Sequence, residues 1–267
     1  MPARFSDGIE SSSQTAPCPL YEQARLRQAT GDTLRPGGTE LTGRLLAHCA
    51  LPPQARLLDV GCGRGASLAW LPTAGAYRPY GVDYSIKLLK EAAGRRQTVA
   101  HALAGRLPFS EASFDAVMME CSLSIISNQG YSIDLSDDLV NQPALQEARR
   151  VLRPQGWLLI SDLYARRSEG IPALRELPGS NCLRGALNLP DLQDSLRKLG
   201  FEISFWEDHS ATLRQLNCKV RQTYGSMQSF WDQASEEPLD GFDLAIRISR
   251  AKPGYFILLA RKVKDIP

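Results

Sequence analysis

Three glycines at alternate positions, Gly61, Gly63 and Gly65, follow the apolar run Leu57-Leu58-Asp59-Val60 and precede a helix-forming stretch from about Ala66 to Leu71. Glycine takes positive φ without strain, and without a Cβ it lets a ligand lie against the backbone at a helix N-terminus. The turn therefore suits a nucleotide-like ligand. Gly61-x-Gly63-x-x-Ala66 also satisfies the loose dinucleotide fingerprint, so the glycines by themselves leave a nicotinamide oxidoreductase open. Two carboxylates narrow the choice. Asp59 stands two residues before the first glycine, and Asp83 ends the next strand-like run, Tyr80-Gly81-Val82-Asp83. An acid at the end of the second strand can accept both hydroxyls of a ribose, because a carboxylate offers two acceptor oxygens. Further along, Glu120 and Cys121 fall at the end of a fourth strand, where a carboxylate can hold or deprotonate a second substrate or simply cap a helix.

Strands alternating with helices must position these groups. Apolar runs mark strands at 55–60, 80–83, 98–102, 114–119 and 156–162, with helices between them. Ser85 is placed to cap the helix running to Arg95, and a further helix spans Pro143 to Leu152, its basic run Arg149, Arg150 and Arg153 forming a solvated face. Such alternation gives a parallel sheet with helices on both faces and ligands at the carboxyl ends of the strands. After Asp162 the rhythm breaks: Gly170, Pro172, Pro178-Gly179 and Gly185 interrupt residues 164–190, which together with the first ~50 residues are expected to form a mobile lid over the cleft. A helix from Asn188 or Asp191 to Lys198, a strand at 201–207, a long helix at 211–234 interrupted at Gly225, and a last strand at 254–263 complete the chain. Upstream, residues 1–16 are polar and aperiodic, a flexible tail. Amphipathic helices are expected at Tyr21–Gln28 and Leu41–Cys49, so that residues 17–267 form one domain.

Leu57 to Gly65 together with Gly81-Val82-Asp83 resembles the class I S-adenosylmethionine-dependent methyltransferases. Leu107-Pro108-Phe109, Ser113-Phe114-Asp115-Ala116-Val117, and Arg150-Val151-Leu152-Arg153-Pro154 ahead of Gly156-Trp157-Leu158-Leu159-Ile160 recur in that order in the same family. The resemblance implies a Rossmann-like sheet of seven strands, mostly parallel, whose last strand lies antiparallel beside the fifth. It also implies S-adenosyl-L-methionine as cofactor and a small-molecule methyl acceptor. The cofactor site would comprise Asp59 at the amino-acid end, the loop Gly61, Cys62, Gly63 and Gly65, Asp83 and Tyr84 at the ribose, and Leu103 and Ala104 at the adenine edge, with Glu120 and Cys121 on the acceptor side. The chain departs from the family pattern in two places. His101-Ala102-Leu103-Ala104-Gly105-Arg106 offers no carboxylate where many relatives have one for the adenine, so backbone groups near Leu103 and Ala104 must serve. Gln155 also stands where a glycine is common. These losses are what a non-catalytic S-adenosylmethionine-binding protein would show, whereas the intact Asp59, glycines and Asp83 speak for an enzyme.

Asn181-Cys182-Leu183-Arg184-Gly185-Ala186-Leu187 is similar to the segment of arsenite methyltransferases in which a metalloid-binding cysteine precedes Gly-Ala-Leu. That resemblance makes Cys182 a candidate thiol ligand for a metalloid acceptor, with Cys218, Cys121 or Cys18 as possible companions, since soft ions take soft ligands. The alternative for Cys182 is a small buried apolar residue. No resident metal site is expected.

Composition bounds the partners. With 267 residues, 43% hydrophobic and 22% charged, the chain can bury a full core, and a net charge of +2 without a Lys/Arg-rich block argues against nucleic acid. No apolar run reaches membrane-spanning length, the N-terminus lacks a signal-peptide core, and the six cysteines contain no C-x-x-C pair. The expectation is a cytoplasmic protein with free thiols and no membrane partner.

Overall fold

The computed structural model describes residues 19–126, 142–178, 181–234 and 240–263. The tail 1–16 and Cys18 lie outside them. Seven strands form one sheet: β1 Arg56–Val60, β2 Arg78–Asp83, β3 Val99–His101, β4 Phe114–Glu120, β5 Leu152–Ala165, β6 Phe201–Asp208 and β7 Pro253–Lys262. Their order is β3-β2-β1-β4-β5-β7-β6. The first five run parallel, and β7 lies antiparallel between β5 and β6. The strand order reverses between β1 and β4, which opens a crevice at their carboxyl ends.

The central strands are apolar throughout because both faces are covered. On β1 the side chains alternate: Leu58 and Val60 join the core on one face of the sheet, while Leu57 joins the core on the other. Helices α2 Gly38–Ala47 and α3 Ala66–Gly75 cover the Leu57 face, with Leu41, Leu45 and Leu71 pointing inward. Helices α5 Leu123–Ile126, α6 Pro143–Val151 and α8 Leu189–Lys198 cover the opposite face through Leu123, Leu145, Ala148, Leu192 and Leu196. Helix α4 Ile86–Gly94 begins as expected at Ser85, whose hydroxyl accepts from the Leu88 N–H at 3.2 Å.

A third apolar cluster stands beyond the end of the sheet. It joins α1 Ala24–Thr30, α7 Ile171–Arg175, α9 Ser210–Tyr224, α10 Met227–Ala234 and α11 Gly241–Ala251 through Leu26, Leu174, Tyr224, Trp231 and Leu244. The expected 211–234 helix is thus two helices, parted at Gly225 (φ +83°). Nothing in the sequence reading anticipated α11, although Leu244, Ile248 and Ala251 recur at helical spacing. The segment expected as an inserted lid begins within the sheet. Tyr164 and Ala165 still belong to β5, Tyr164 bridges to Leu187, and Ile171, Leu174, Leu177, Leu183 and Ala186 are buried in the third cluster. The described residues 166–178 and 181–187 therefore form a packed cap, held by the same kind of apolar burial as the rest of the core.

Candidate functional site

The glycine loop forms the floor of the principal cleft. Gly61 (φ +85°) and Gly63 (φ +52°) both need the left-handed region, for different neighbours. A Cβ on Gly61 would come within 2.5 Å of the Ser122 Cβ, whereas one on Gly63 would have nothing nearer than Leu88, at 4.0 Å. Gly61 therefore lets the β4 end approach, and Gly63 leaves the cleft open. Gly65, expected to face the cofactor, is not among the residues lining the cleft; the amide of Gln97 occupies its Cβ position and donates to its carbonyl at 2.7 Å. Cys62 lines the cleft but packs its sulfur against Gly81, so it contributes backbone. Burial, helped by Asp59 and Asp83, holds its thiol far above the ordinary value.

Asp83 ends β2 on the rim. Its carboxylate accepts from the Gly63 N–H and the Ser85 N–H, each at 2.8 Å, which fixes both oxygens while leaving lone pairs for a diol. Burial raises its pKa, against the lowering effect of these N–H groups and that of Tyr84. Tyr84 lies beside His101, with ring centroids 5.5 Å apart, and His101 Nε2 bonds the Tyr84 carbonyl at 3.1 Å. Tyr84, Leu103 and Ala104 line the neighbouring wall.

At the other end stands a buried ion pair. Arg35 Nη2 meets Glu120 Oε2 at 2.8 Å, with the two side chains only 6% and 2% exposed. The same nitrogen donates to Thr42 Oγ1 (2.7 Å) and Ser67 Oγ (3.0 Å), and these hydroxyls donate to the two Glu120 oxygens at 2.7 and 3.1 Å. A guanidinium and two hydroxyls thus engage the Glu120 carboxylate, which also lines the cleft. Burial works against the Arg35 charge, but Glu120, then Tyr255 and Asp59, outweigh it and raise its pKa. Asp59, 4% exposed, lies beside this pair. Burial first, then Glu120 and Asp83, push its pKa up to about 8, with Arg35 opposing. Arg64 also lines the cleft, and it pairs with Glu91 at 3.5 Å.

The N-terminal segment closes the cleft. Tyr21, Glu22 and Asp32 to Arg35 line it, and Glu22 accepts from Ser85 Oγ at 2.6 Å and pairs with Lys87 at 3.4 Å. No residue of 164–190 is among the described lining residues. Cys182 instead stands behind the wall, beside Cys121, which does line the cleft. Cys218 is exposed on α9, and among the described residues no group of three His, Cys, Asp or Glu side chains is arranged to hold a metal ion. Among the described residues, the several thiolates implied by the arsenite resemblance reduce to Cys182 and Cys121, and Cys18 lies outside them. Sequence reasoning missed Arg35, Thr42, Ser67 and Glu22, none of which sits in a recognisable motif.

A nucleoside bearing an amino acid fits this cleft on one structural ground above others. Arg35 Nε is buried with no hydrogen-bond partner among the described residues, and an unpaired buried donor beside a cleft calls for an acceptor such as a carboxylate.

Comparison with known proteins agrees. Residues 58–160 match the family described as Methyltransferase domain. The match makes residues 58–160 a methyltransferase domain, and the relatives and solved structures support an S-adenosylmethionine-dependent methyltransferase of class I. It is 28% identical over 250 residues to a 27-O-demethylrifamycin SV methyltransferase of Amycolatopsis mediterranei (strain S699), covering 86% of this chain and 85% of that one. Among solved structures it resembles the [4+2]-cyclase SpnF, with TM-score 0.68 and 25% identity, over 92% of this chain and 94% of that one. It also shares its fold with Haemonchus contortus phosphoethanolamine N-methyltransferase 2 in complex with S-adenosyl-L-methionine, with TM-score 0.63 and 19% identity, over 90% of this chain and 56% of that one. Among the described residues no helix is long and apolar enough to cross a membrane.

Proposed function

We propose that the chain methylates an oxygen of an organic small molecule, with the Arg35–Glu120 pair as the observation that carries the cofactor's orientation. Bound S-adenosylmethionine supplies a methyl group on a sulfonium, already activated for displacement. The protein's part is then to bind, align and exclude water, which can lower a barrier by about 7–11 kcal/mol without a catalytic base. Asp83 accepts the ribose hydroxyls, Arg35 Nε donates to the amino-acid carboxylate, and Asp59 and Glu120 offer negative charge to the ammonium and sulfonium. Tyr84, Leu103 and Ala104 enclose the adenine. Glu120 serves as a positioning residue for Arg35, held in turn by Thr42 and Ser67. Support for an oxygen acceptor comes from the rifamycin relative, whose name places its methyl on an oxygen and whose alignment spans most of both chains. No histidine lines the described cleft, which accords with transfer by alignment.

Calorimetric titration with S-adenosylmethionine, followed by methyl-transfer assays on hydroxyl, amine, carbon-acid and arsenite-plus-thiol acceptors, tests this reading. Arsenite belongs in the panel because Cys182 has one thiol neighbour. Asp83→Ala is expected to weaken cofactor binding by about 1–3 kcal/mol, the cost of a desolvated diol without its acceptor. Turnover of amines or arsenite with no hydroxyl methylated would overturn the oxygen assignment.

A further inference from the structure

Two thiols meet at the cleft wall. Cys121 follows β4 with φ +54°, and this left-handed turn takes it out of the strand's alternation. Met119 packs on one face of the sheet, whereas Cys121, two residues on, packs with the core of the opposite face. Cys182 packs against that same core from the cap. Gly185 makes the approach possible: a Cβ there would fall 1.7 Å from the Ser124 carbonyl oxygen, so the cap turn lies backbone to backbone on the segment just after Cys121. Asn181 stiffens the turn by accepting from the Arg184 N–H at 2.9 Å, and Asp162 pins the other side by accepting from Ser124 N–H and Oγ at 3.0 and 2.6 Å. In this frame the Cys121 and Cys182 side chains lie close enough to shift each other's ionisation. Both cysteines are half-buried, within reach of a small oxidant.

We propose that Cys121 and Cys182 form a redox-active pair that hydrogen peroxide closes to a disulfide, fastening the cap turn 181–187 to the carboxyl end of β4. The two thiols are unequal, as such chemistry requires. The neighbouring Cys121 favours the Cys182 thiolate and lowers its pKa against the opposing effect of burial, while Cys182 and burial hold Cys121 well above the ordinary value. Cys182 is therefore the attacking sulfur. Its thiolate takes one peroxide oxygen, the O–O bond breaks, and the other oxygen leaves as water with an added proton, giving a sulfenic acid. Cys121 sulfur then attacks the sulfenic sulfur; the S–S bond forms, the S–O bond breaks, and the hydroxyl leaves as a second water with the Cys121 proton. Two electrons pass from the two thiols to one peroxide.

The test treats the full chain with hydrogen peroxide, blocks remaining thiols with N-ethylmaleimide, and maps peptides without reduction. The expected result is the loss of two of the six thiols, one linked peptide pair carrying Cys121 and Cys182, and full recovery with dithiothreitol. Cys121→Ser should instead stop at a dimedone-trappable sulfenic acid on Cys182, and Cys218→Ser should leave the linkage unchanged. Hydrogen exchange of 181–187 should slow several-fold in the oxidised form. Linkage to any other cysteine, or an unlinked pair while other thiols are oxidised, would overturn the proposal. Because the wild-type map decides this by itself, a variant that fails to fold leaves the test intact.

Discussion

Replacing Arg35 by Met keeps most of the side-chain volume and removes the charge opposite Glu120. Breaking a buried ion pair from one side costs about 3–5 kcal/mol, because the remaining charge is left without compensation. Glu120 would keep the hydroxyls of Thr42 and Ser67, at 2.7 and 3.1 Å, so the loss belongs at the lower end of that range. With both side chains under a tenth exposed, solvent screening does little to reduce it. A loss of about 3 kcal/mol in a chain of this size lowers the melting temperature by about 6–12 °C. Calorimetric melts without cofactor read this directly, and a double variant isolates the charge. Arg35→Met with Glu120→Met removes both charges and leaves only two hydroxyls seeking partners, on the order of 1 kcal/mol each, so it should recover part of the loss. A single variant within ~0.5 kcal/mol of wild type, or a double variant less stable than the single, would refute the reasoning.

Three further outcomes are expected. Gly61→Ala should unfold the loop region, since its Cβ would collide with Ser122, whereas Gly63→Ala should keep the fold at a cost of about 1–2 kcal/mol and lose cofactor affinity in titration calorimetry, its methyl group standing in the cleft. Gln155→Gly, at an exposed position with φ +66°, should stabilise by about 0.5–1 kcal/mol in denaturant melts, the relief of left-handed strain exceeding glycine's entropic cost. Asp59, with its pKa pushed up to about 8, should make the ligand-free protein lose stability as pH rises. The sign follows because the native state holds a proton that the unfolded chain releases near pH ~4. S-adenosylmethionine, being cationic, should bind more tightly as pH rises through that same window, and Asp59→Asn should flatten the dependence.

What could be read in the sequence was local. The glycine turn, Asp83 at the end of β2, the Ser85 cap and the break at Gly225 each lie within a few residues of the pattern that marks them, and each stands where expected. Gln155 illustrates a local rule overridden: its left-handed φ explains why glycine is common there, and the bulge between the Phe114↔Leu152 and Ala116↔Trp157 pairings holds it in place. The cap was legible as breaker-rich chain but not as packed structure. Its core is assembled from helices 26–251 in the sequence, and apolar residues at such separations carry no shared signature.

The ion pair shows most clearly why half of the site stayed hidden. Glu120 could be placed at a strand end, but its role depends on Arg35, which lies in Thr33-Leu34-Arg35-Pro36 with no periodicity around it and reads as an ordinary surface cation. Only the fold brings the N-terminal segment across the cleft and buries that guanidinium between two hydroxyls and a carboxylate. Once buried, it sets the charge balance of the site. Asp59, Asp83 and Glu120 converge on the cleft, Arg35 answers one carboxylate, and Arg64 is taken up by Glu91. Burial first, and then the neighbouring Glu120 and Asp83 against the opposing Arg35, raise the pKa of Asp59, so its carboxyl holds a proton there. A sulfonium with its ammonium group supplies the missing positive charge, and once the methyl has left, the product returns as a thioether with one charge fewer. On the proposed reading, the same acidic surroundings that favour the charged cofactor would hold its product less strongly, so that binding selectivity and product release would arise from one cluster of side chains.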